Sequence, residues 1–254
     1  MKKNIHAVIF DMGGTLEDIY YDDALRLEAT RNLKGILGKH GLDPGLAIPD
    51  LYAVVNAGMK KYNAWRDETE NELPPERIWS EFALPNYGPA EHIAAIGEEL
   101  ALFYDLHFYK RSLRPESKAV LDCLRARGFR LGVISNVYSR GAVACNLARY
   151  ELAGYFQVVV TSSAFGWRKP NPRIFLEAPR VLGLPPGECA YVGDTVSRDV
   201  VGARRAGYGL AIQIKSFLTA KSDRATDTEV ADAVITDLMQ VADLVTPSQE
   251  QAHV

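Results

Sequence analysis

Short apolar runs, each stopped by small or polar residues, recur along the chain at 5–10, 129–134, 158–161, 189–192 and 210–214. Runs of this length bounded by turn-forming residues read as buried strands, five in all. Their stops are chemically alike: Asp11 with Gly13-Gly14 after the first, Ser135-Asn136 after the second, Gly193-Asp194 after the fourth. Helical spacing fills the gaps at 115–127, 139–149, 172–182 and 197–206. The first of these opens on Pro115 and stops at Gly128, the residues suited to a first helical position and to the position past a helix end. Its Val120, Leu121 and Leu124 share one face, and Pro179 is expected to kink or shorten the third helix. Strands alternating with helices predict an α/β, Rossmann-like parallel sheet with right-handed crossovers, and a ligand at the carboxyl ends of its strands.

Residues 16–110 break the alternation. They read as amphipathic helical stretches at about 22–40, 50–70, 75–84 and 89–109 with no strand among them. The expected organisation is therefore a core domain of 1–15 and 111–254 with an inserted all-helical cap domain at 16–110. Both connections of the insert lie beside the end of the first strand, so it would cover whatever that strand presents. No period of about 20–50 residues repeats, which excludes solenoids and propellers.

A length of 254 residues has room for both modules, and 47% hydrophobic with 24% charged residues excludes a disordered chain. Twenty-nine Lys and Arg against 32 Asp and Glu give a net charge of −3, without an overall basic field for nucleic acid or an anionic membrane. The expected partner is a small molecule, with the protein a monomer or homodimer. Cys123, Cys145 and Cys189 lie far apart and show no metal or disulfide pattern. The apolar run before Asp11 is too short for a signal peptide or a membrane span, so the expected location is cytoplasmic. His6, His40, His92, His107 and His253 show no ligand spacing.

Asp11 at a strand end, followed by glycines whose amides can form an anion-binding nest, suits a phosphate plus a cation; alone, it is equally a turn with a capping Asp. Ser135-Asn136 adds a hydroxyl and amides, Arg168-Lys169-Pro170 a cation, and Asp194 with Asp199 two acids five residues apart. Four polar clusters then meet on one face of the sheet.

With that set in that order, the chain resembles the haloacid dehalogenase superfamily. The family's motifs are Asp-x-Asp-Gly-Thr/Val, a Ser or Thr ending a strand, a Lys often before Pro, and Gly-Asp-x-x-x-x-Asp or a near variant. Here they are met by Asp11, Ser135, Lys169 and Asp194 with Asp199. The helical insertion looks like the family's small-substrate cap, and Ala203-x-x-Ala206-Gly207 before a strand is also similar. The resemblance implies a magnesium-dependent phosphohydrolase of a small phosphorylated metabolite. Asp11 would attack phosphorus and form an aspartyl-phosphate. Mg²⁺ would sit on Asp11, the Gly13 backbone carbonyl and Asp194, with Asp199 acting directly or through water. Lys169 would pair with Asp11 and the phosphoryl oxygens. Ser135, Asn136, Gly14 and Thr15 would complete the phosphate cup.

One departure bears on activity. Where the family's phosphatases carry a second Asp as general acid and base, this chain has Gly13. Losing such a group costs about 10²–10⁴ in rate. Glu17 and Asp18 are the nearby substitutes. The departure keeps other readings open: a weakly catalytic or non-catalytic metabolite-binding module, a dehalogenase-like enzyme, or a phosphonatase-like enzyme using Lys60 or Lys61 as an imine-forming lysine. The dehalogenases work without magnesium, so the retained Asp194 and Asp199 argue against that branch. Tyr20, Tyr21, Lys60, Tyr62, Trp65 and Arg66 are candidates for selecting the substrate, although Tyr62, Trp65 and Arg66 share a helical face that core packing also explains.

Overall fold

The computed structural model describes residues 4–216, 219 and 230–246; His253 and the outer ends of the expected core segments lie outside them. In chain order the elements begin with β1 (Ala7–Phe10), β2 (Glu17–Tyr20), α1 (Asp23–Lys39), α2 (Ile48–Thr69), α3 (Pro75–Arg77), a π-helix (Ile78–Ala83), α4 (Ala90–Ala95), α5 (Gly97–His107) and β3 (Lys110–Leu113). They continue with α6 (Ser117–Ala126), β4 (Arg130–Ser135), α7 (Ala142–Arg149), β5 (Val158–Thr161), α8 (Ser162–Phe165), α9 (Pro172–Leu182) and β6 (Cys189–Gly193). A second π-helix (Val196–Val200), α10 (Val201–Arg205), β7 (Leu210–Ile214), β8 (Ala233–Ile235) and α11 (Gln240–Leu244) follow.

The main sheet has the order β5-β4-β1-β6-β7-β8, every pair parallel. β1 is central and buried on both faces. Val8 and Phe10 join the apolar cluster beneath α6 and α7, while Ala7 and Ile9 join the one beneath α9 and α10. Side chains alternate across a strand, so a continuous apolar run is what a sheet covered on both sides requires. All five expected strands are present. The sixth, β8, was not legible, because Ala-Val-Ile at the sheet edge, with only Ile235 buried, is too short an apolar run to stand out from a loop or helix.

Pro179 does not end α9, which runs to Leu182. A proline removes the bond to the carbonyl four residues back. That carbonyl, of Phe175, instead accepts the Tyr208 hydroxyl at 2.7 Å. The expected helix at 139–149 starts later, at Ala142, because the Ser139 hydroxyl accepts the amides of Gly141 and Ala142. The expected helix at 197–206 is divided, its first turn being the π-helix.

The insert is helical where expected, but 16–110 is not free of strands. β2 pairs antiparallel with β3, placing Ile19 opposite Arg111 and Glu17 opposite Leu113. The ribbon escaped the pattern because one of its inward positions is a charge: Glu17 is fully buried and ion-paired to Arg111. Helices α1 to α5 enclose their own apolar cluster, including Leu33, Leu51, Tyr62, Trp79 and Leu100, and Tyr138 from the loop after β4 joins it. The segment after α2 is tied to the loop after α8 by Glu72 N–H to Gly166 O (3.0 Å) and Arg168 N–H to Glu70 O (3.1 Å). No described helix is long and apolar enough to cross a membrane.

Gly58 on α2 marks the closest packing inside the insert. A Cβ there would lie 2.1 Å from the Phe82 carbonyl oxygen and 2.7 Å from the Ala83 Cα. Both are backbone atoms, so the helices must separate to admit it. Gly58→Ala is expected to cost roughly 1–3 kcal/mol in denaturant unfolding; an unchanged midpoint contradicts this packing.

Candidate active site

The carboxyl ends of β1, β4 and β6 bring the predicted residues together. Asp11 follows β1, its N–H bonded to Val192 O at 2.8 Å, which places the residue beside the end of β6. Lys169 arrives from the loop after α8. Its Nζ bonds Asp11 Oδ1 (2.8 Å), Asp199 Oδ1 (2.7 Å) and Tyr191 Oη (2.9 Å), so all three ammonium protons are taken. Asn136 fixes the lysine's backbone reciprocally: Nδ2 donates to Lys169 O at 3.0 Å and Oδ1 accepts Lys169 N–H at 2.9 Å. The Asn136 side chain is thus committed to holding Lys169 rather than free for phosphate. Ser135 ends β4, lines the cavity described below, and no described residue takes its hydroxyl.

The second π-helix turns Asp199 back toward this lysine. Besides Lys169, Asp199 accepts the Thr195 N–H (3.0 Å), the Thr195 hydroxyl (2.8 Å) and the Tyr191 hydroxyl (3.2 Å). Although burial works against it, Lys169 and Arg198 hold its carboxyl below the usual range. Asp194 is the opposite case. Its Oδ2 accepts the Ser216 hydroxyl at 2.6 Å, but its buried Oδ1 has no partner among the described residues. Burial first, then the charges of Asp199 and Asp11, push it up to about 7. Burial likewise raises Asp11 against the pull of Lys169. Oxygens of the three carboxylates lie within 4.8 Å of one another. A crowded set of hard oxygens with one orphaned atom fits a divalent cation such as Mg²⁺. The saturated Asp199 suits contact through water better than direct ligation.

Gly14 and Thr15 do not take the places expected of them. Neither lines the cavity. The Gly14 N–H bonds Glu17 O at 2.7 Å and the Thr15 N–H bonds Met12 O at 3.3 Å, so the turn consumes the amides that a phosphate nest would need. Gly14 has another reason to be glycine: at φ 85°, a Cβ would lie 2.4 Å from Asp194 Oδ2. At Gly13 the missing side chain's space is filled from the ribbon, with Ile19 Cδ1 at 2.5 Å and Arg111 Nη1 at 3.6 Å from a Cβ position.

Asp11, Gly13, Ser135, Asn136 and Lys169 open onto a cavity of about 300 Å³ roofed by the insert. Of the cap candidates, Tyr21 and Arg66 line it; Tyr62 is core, Tyr20, Lys60 and Lys61 are exposed, and Trp65 packs against the helical cluster. Glu17 is sequestered by Arg111 and by the Tyr150 hydroxyl at 3.0 Å, and Asp18 lies on the ribbon against Arg114 at 3.2 Å. Neither substitute acid faces the cavity. Sequence reading missed Arg26, Asn63, Asp105, Tyr109, Arg111, Tyr138 and Arg198, all of which line it. Only Arg198 carried a local signal, standing inside the Gly193–Asp199 motif; the others are ordinary members of amphipathic helices, ribbon or loop.

A family model described as haloacid dehalogenase-like hydrolase matches residues 5–207. The chain is 30% identical over 241 residues to a glyceraldehyde 3-phosphate phosphatase of Methanopyrus kandleri, covering 95% of this chain and 97% of that one. It is 37% identical over 161 residues to human haloacid dehalogenase-like hydrolase domain-containing protein 3, covering 60% and 57%. In fold it is similar to a phosphatase from Thermococcus onnurineus (TM-score 0.61, 24% identity, 94% and 97% covered). It is equally similar to a 2-haloacid dehalogenase from Pseudomonas syringae (TM-score 0.63, 23% identity, 94% and 97% covered). Fold likeness therefore does not separate those two chemistries.

Asp105 on α5 gives the site a measurable electrostatic signature. Its Oδ2 accepts the Tyr138 and Ser139 amides at 2.9 and 2.8 Å, clamping the loop after β4. Burial nevertheless pushes its carboxyl up to about 7, against Arg111 and those amides. A folded-state pKa raised from about 3.9 favours the protonated form, so Asp105 destabilises the fold progressively as pH rises from about 4 to about 7. Relative to the parent, Asp105→Asn should be more stable at pH 8 than at pH 5. A stability difference independent of pH between those values contradicts the assignment.

Proposed function

We propose, from the premise that the chain belongs to the haloacid dehalogenase-like hydrolase family, that it is a magnesium-dependent phosphatase of a small phosphorylated metabolite. The observation that carries this reading is Asp194: a buried carboxylate with an orphaned oxygen, crowded by two more, suits a site built around a divalent cation. A dehalogenase of the metal-free kind has no use for it. The similarity to curated phosphatases over nearly the whole chain supports the same choice. Lys60 and Lys61 are exposed and outside the cavity, so nothing favours imine chemistry.

Asp11, Asp194 and the Gly13 carbonyl would hold magnesium, which would supply neutralisation of the carboxylates and polarisation of the phosphoryl oxygens. Asp11 attacks phosphorus: an oxygen of its carboxylate forms the new bond as the ester oxygen departs with its electron pair, and water later cleaves the aspartyl-phosphate. Lys169, held in place by Asp199 and Tyr191, stabilises the charge on the phosphoryl oxygens, joined by the Ser135 hydroxyl. Residues 16–110 form a cap, joined to the core through the β2–β3 ribbon, and screen the cavity from water. Proton transfer to the leaving oxygen is the weak step, because Gly13 has no side chain and Glu17 and Asp18 are engaged elsewhere. Aryl and acyl phosphates, which leave as stable anions, should therefore be favoured over alkyl phosphates. Similar rates for both classes contradict an unassisted departure and point to Asp105, the other carboxylate in the cavity lining.

The division of roles is testable by phosphate release during magnesium titration. Asp194→Asn should raise the magnesium needed for half activity by tenfold or more, on the order of one lost charged ligand. Asp199→Asn should instead lower turnover with a much smaller change in magnesium requirement, since it acts on Lys169. Release that is indifferent to magnesium removal overturns the reading.

Gly13→Asp separates acid from base catalysis. The Ile19 side-chain end can yield, and Gly13 is outside the left-handed region, so the variant should fold. Arg111, beside the new carboxylate, keeps it ionised. It should therefore speed water attack more than ester departure, shortening any pre-steady-state burst by up to about 10²-fold. A faster burst phase with unchanged steady state contradicts this.

A further inference from the structure

Six cations line the cavity, Arg26, Arg66, Arg111, Arg168, Lys169 and Arg198, against two carboxylates, Asp11 and Asp105. Most of this charge is already answered. Lys169 holds Asp11 and Asp199, Arg111 holds Glu17, and Arg168 holds Asp67 and, at 3.5 Å, Glu72. Arg198 has no carboxylate within 4.0 Å among the described residues, but it belongs to the core, where its Nε bonds the Thr195 hydroxyl at 3.3 Å and its charge acts on the three-carboxylate cluster. Two arginines remain, both on helices of the insert. Arg26 on α1 has no carboxylate within 4.0 Å among the described residues; its guanidinium lies over the Tyr21 ring at 4.0 Å, with Tyr109 at 5.4 Å. Arg66 on α2 lies over Tyr138 at 4.6 Å, and its one ion pair among the described residues is with Glu72 at 3.8 Å, a carboxylate shared with Arg168, Tyr62 and Ser162. The Nε of each is buried without a hydrogen-bond partner among the described residues.

Holding two guanidinium groups in a roofed cavity without counter-charges of their own is unfavourable unless a ligand supplies the charge. Tyrosine faces orient a guanidinium without neutralising it. The planar fork that results is the geometry that receives carboxylate or phosphate oxygens in pairs. The cavity, about 300 Å³, is at the small end of ligand pockets, so a bound molecule is small.

We infer that the substrate carries a second anion, a carboxylate or a second phosphate a few carbons from the transferred phosphoryl group, received by Arg26 and Arg66. The inference rests on the phosphatase reading for the placement of the first phosphate at Asp11 and Lys169. It adds what that reading leaves open: a neutral sugar or alcohol tail does not complete this cavity, and an anionic one does.

Three phosphonates of equal length test it without needing turnover: propylphosphonate, 3-phosphonopropanoate and propane-1,3-diphosphonate, titrated calorimetrically with magnesium at 0.15 M salt. At least one ligand with a second anion should bind about tenfold or more tightly than propylphosphonate, as expected for a new charge-assisted contact. Whichever of the two binds more tightly identifies carboxylate or phosphate as the source. In Arg26→Gln, and further in Arg26→Gln/Arg66→Gln, the ratio of affinities should fall toward one. Arg66 also contacts Glu72, so the single Arg26 variant, which breaks no ion pair, is the decisive one. Equal binding of all three by the parent, or a ratio that survives in the single variant, overturns the second-anion site while leaving the phosphatase reading to its own test of phosphate release. Binding by none of the three overturns both.

Discussion

A single buried ammonium organises this site. Lys169 bridges Asp11 and Asp199, two carboxylates that burial alone would drive toward protonation. A buried charge is stable only when paired and hydrogen-bonded, and removing one partner of such a group costs several kcal/mol. Much of the surrounding structure follows from that constraint. Asn136 grips the lysine's backbone from the end of β4, Tyr191 reaches it from β6, and the π-helix after Thr195 turns Asp199 inward. The central strands supply the rigid end from which these groups converge, because their buried faces leave little freedom in register. Asp194 stands outside the lysine's reach, and its unpartnered oxygen is what remains for a cation.

The helical insert completes the chamber with charge of the opposite sign. Its straps to the core are polar and specific: Asp105 and Glu98 take amides and the hydroxyl of residues 138–141, and the 70–72 segment bonds the loop that carries Lys169. The loop after β4 and the loop after α8 are therefore each held from both sides. A change in the insert's position would be felt at Ser135 and Lys169 directly, which couples cavity closure to the chemistry. The ribbon β2–β3 has a second role, because its Ile19 and Arg111 occupy the space that an acid at position 13 would claim.

What was legible in the sequence follows from how each feature is encoded. Buried parallel strands produce continuous apolar runs, so five strands, their order along the chain and the polar residues at their ends could be read directly. Asp11, Lys169, Asp194 and Asp199 were legible because chemistry-bearing residues at strand ends have few other reasons to recur together. The ribbon was not, since Glu17 is an inward-facing charge whose partner, Arg111, lies 94 residues away. The same holds for Arg26 and Arg66: an arginine on an amphipathic helix reads as a solvated face until the fold roofs it over. That α9 continues past Pro179 was hidden for a similar reason, as the contact that satisfies the carbonyl it frees, with Tyr208, is tertiary. The phosphate role that the resemblance implies for Gly14 and Thr15 meets a tight turn that spends its amides internally, a use that sequence does not display.

In the proposed mechanism Asp11, poised by Lys169, becomes covalently phosphorylated. The most direct measurement is peptide mapping by mass spectrometry after rapid acid quench of the protein mixed with magnesium and an aryl phosphate. One phosphoryl group is expected on the peptide containing Asp11, released by hydroxylamine and missing from Asp11→Asn. Phosphate release at an undiminished rate by Asp11→Asn, or a label on any other residue, contradicts it.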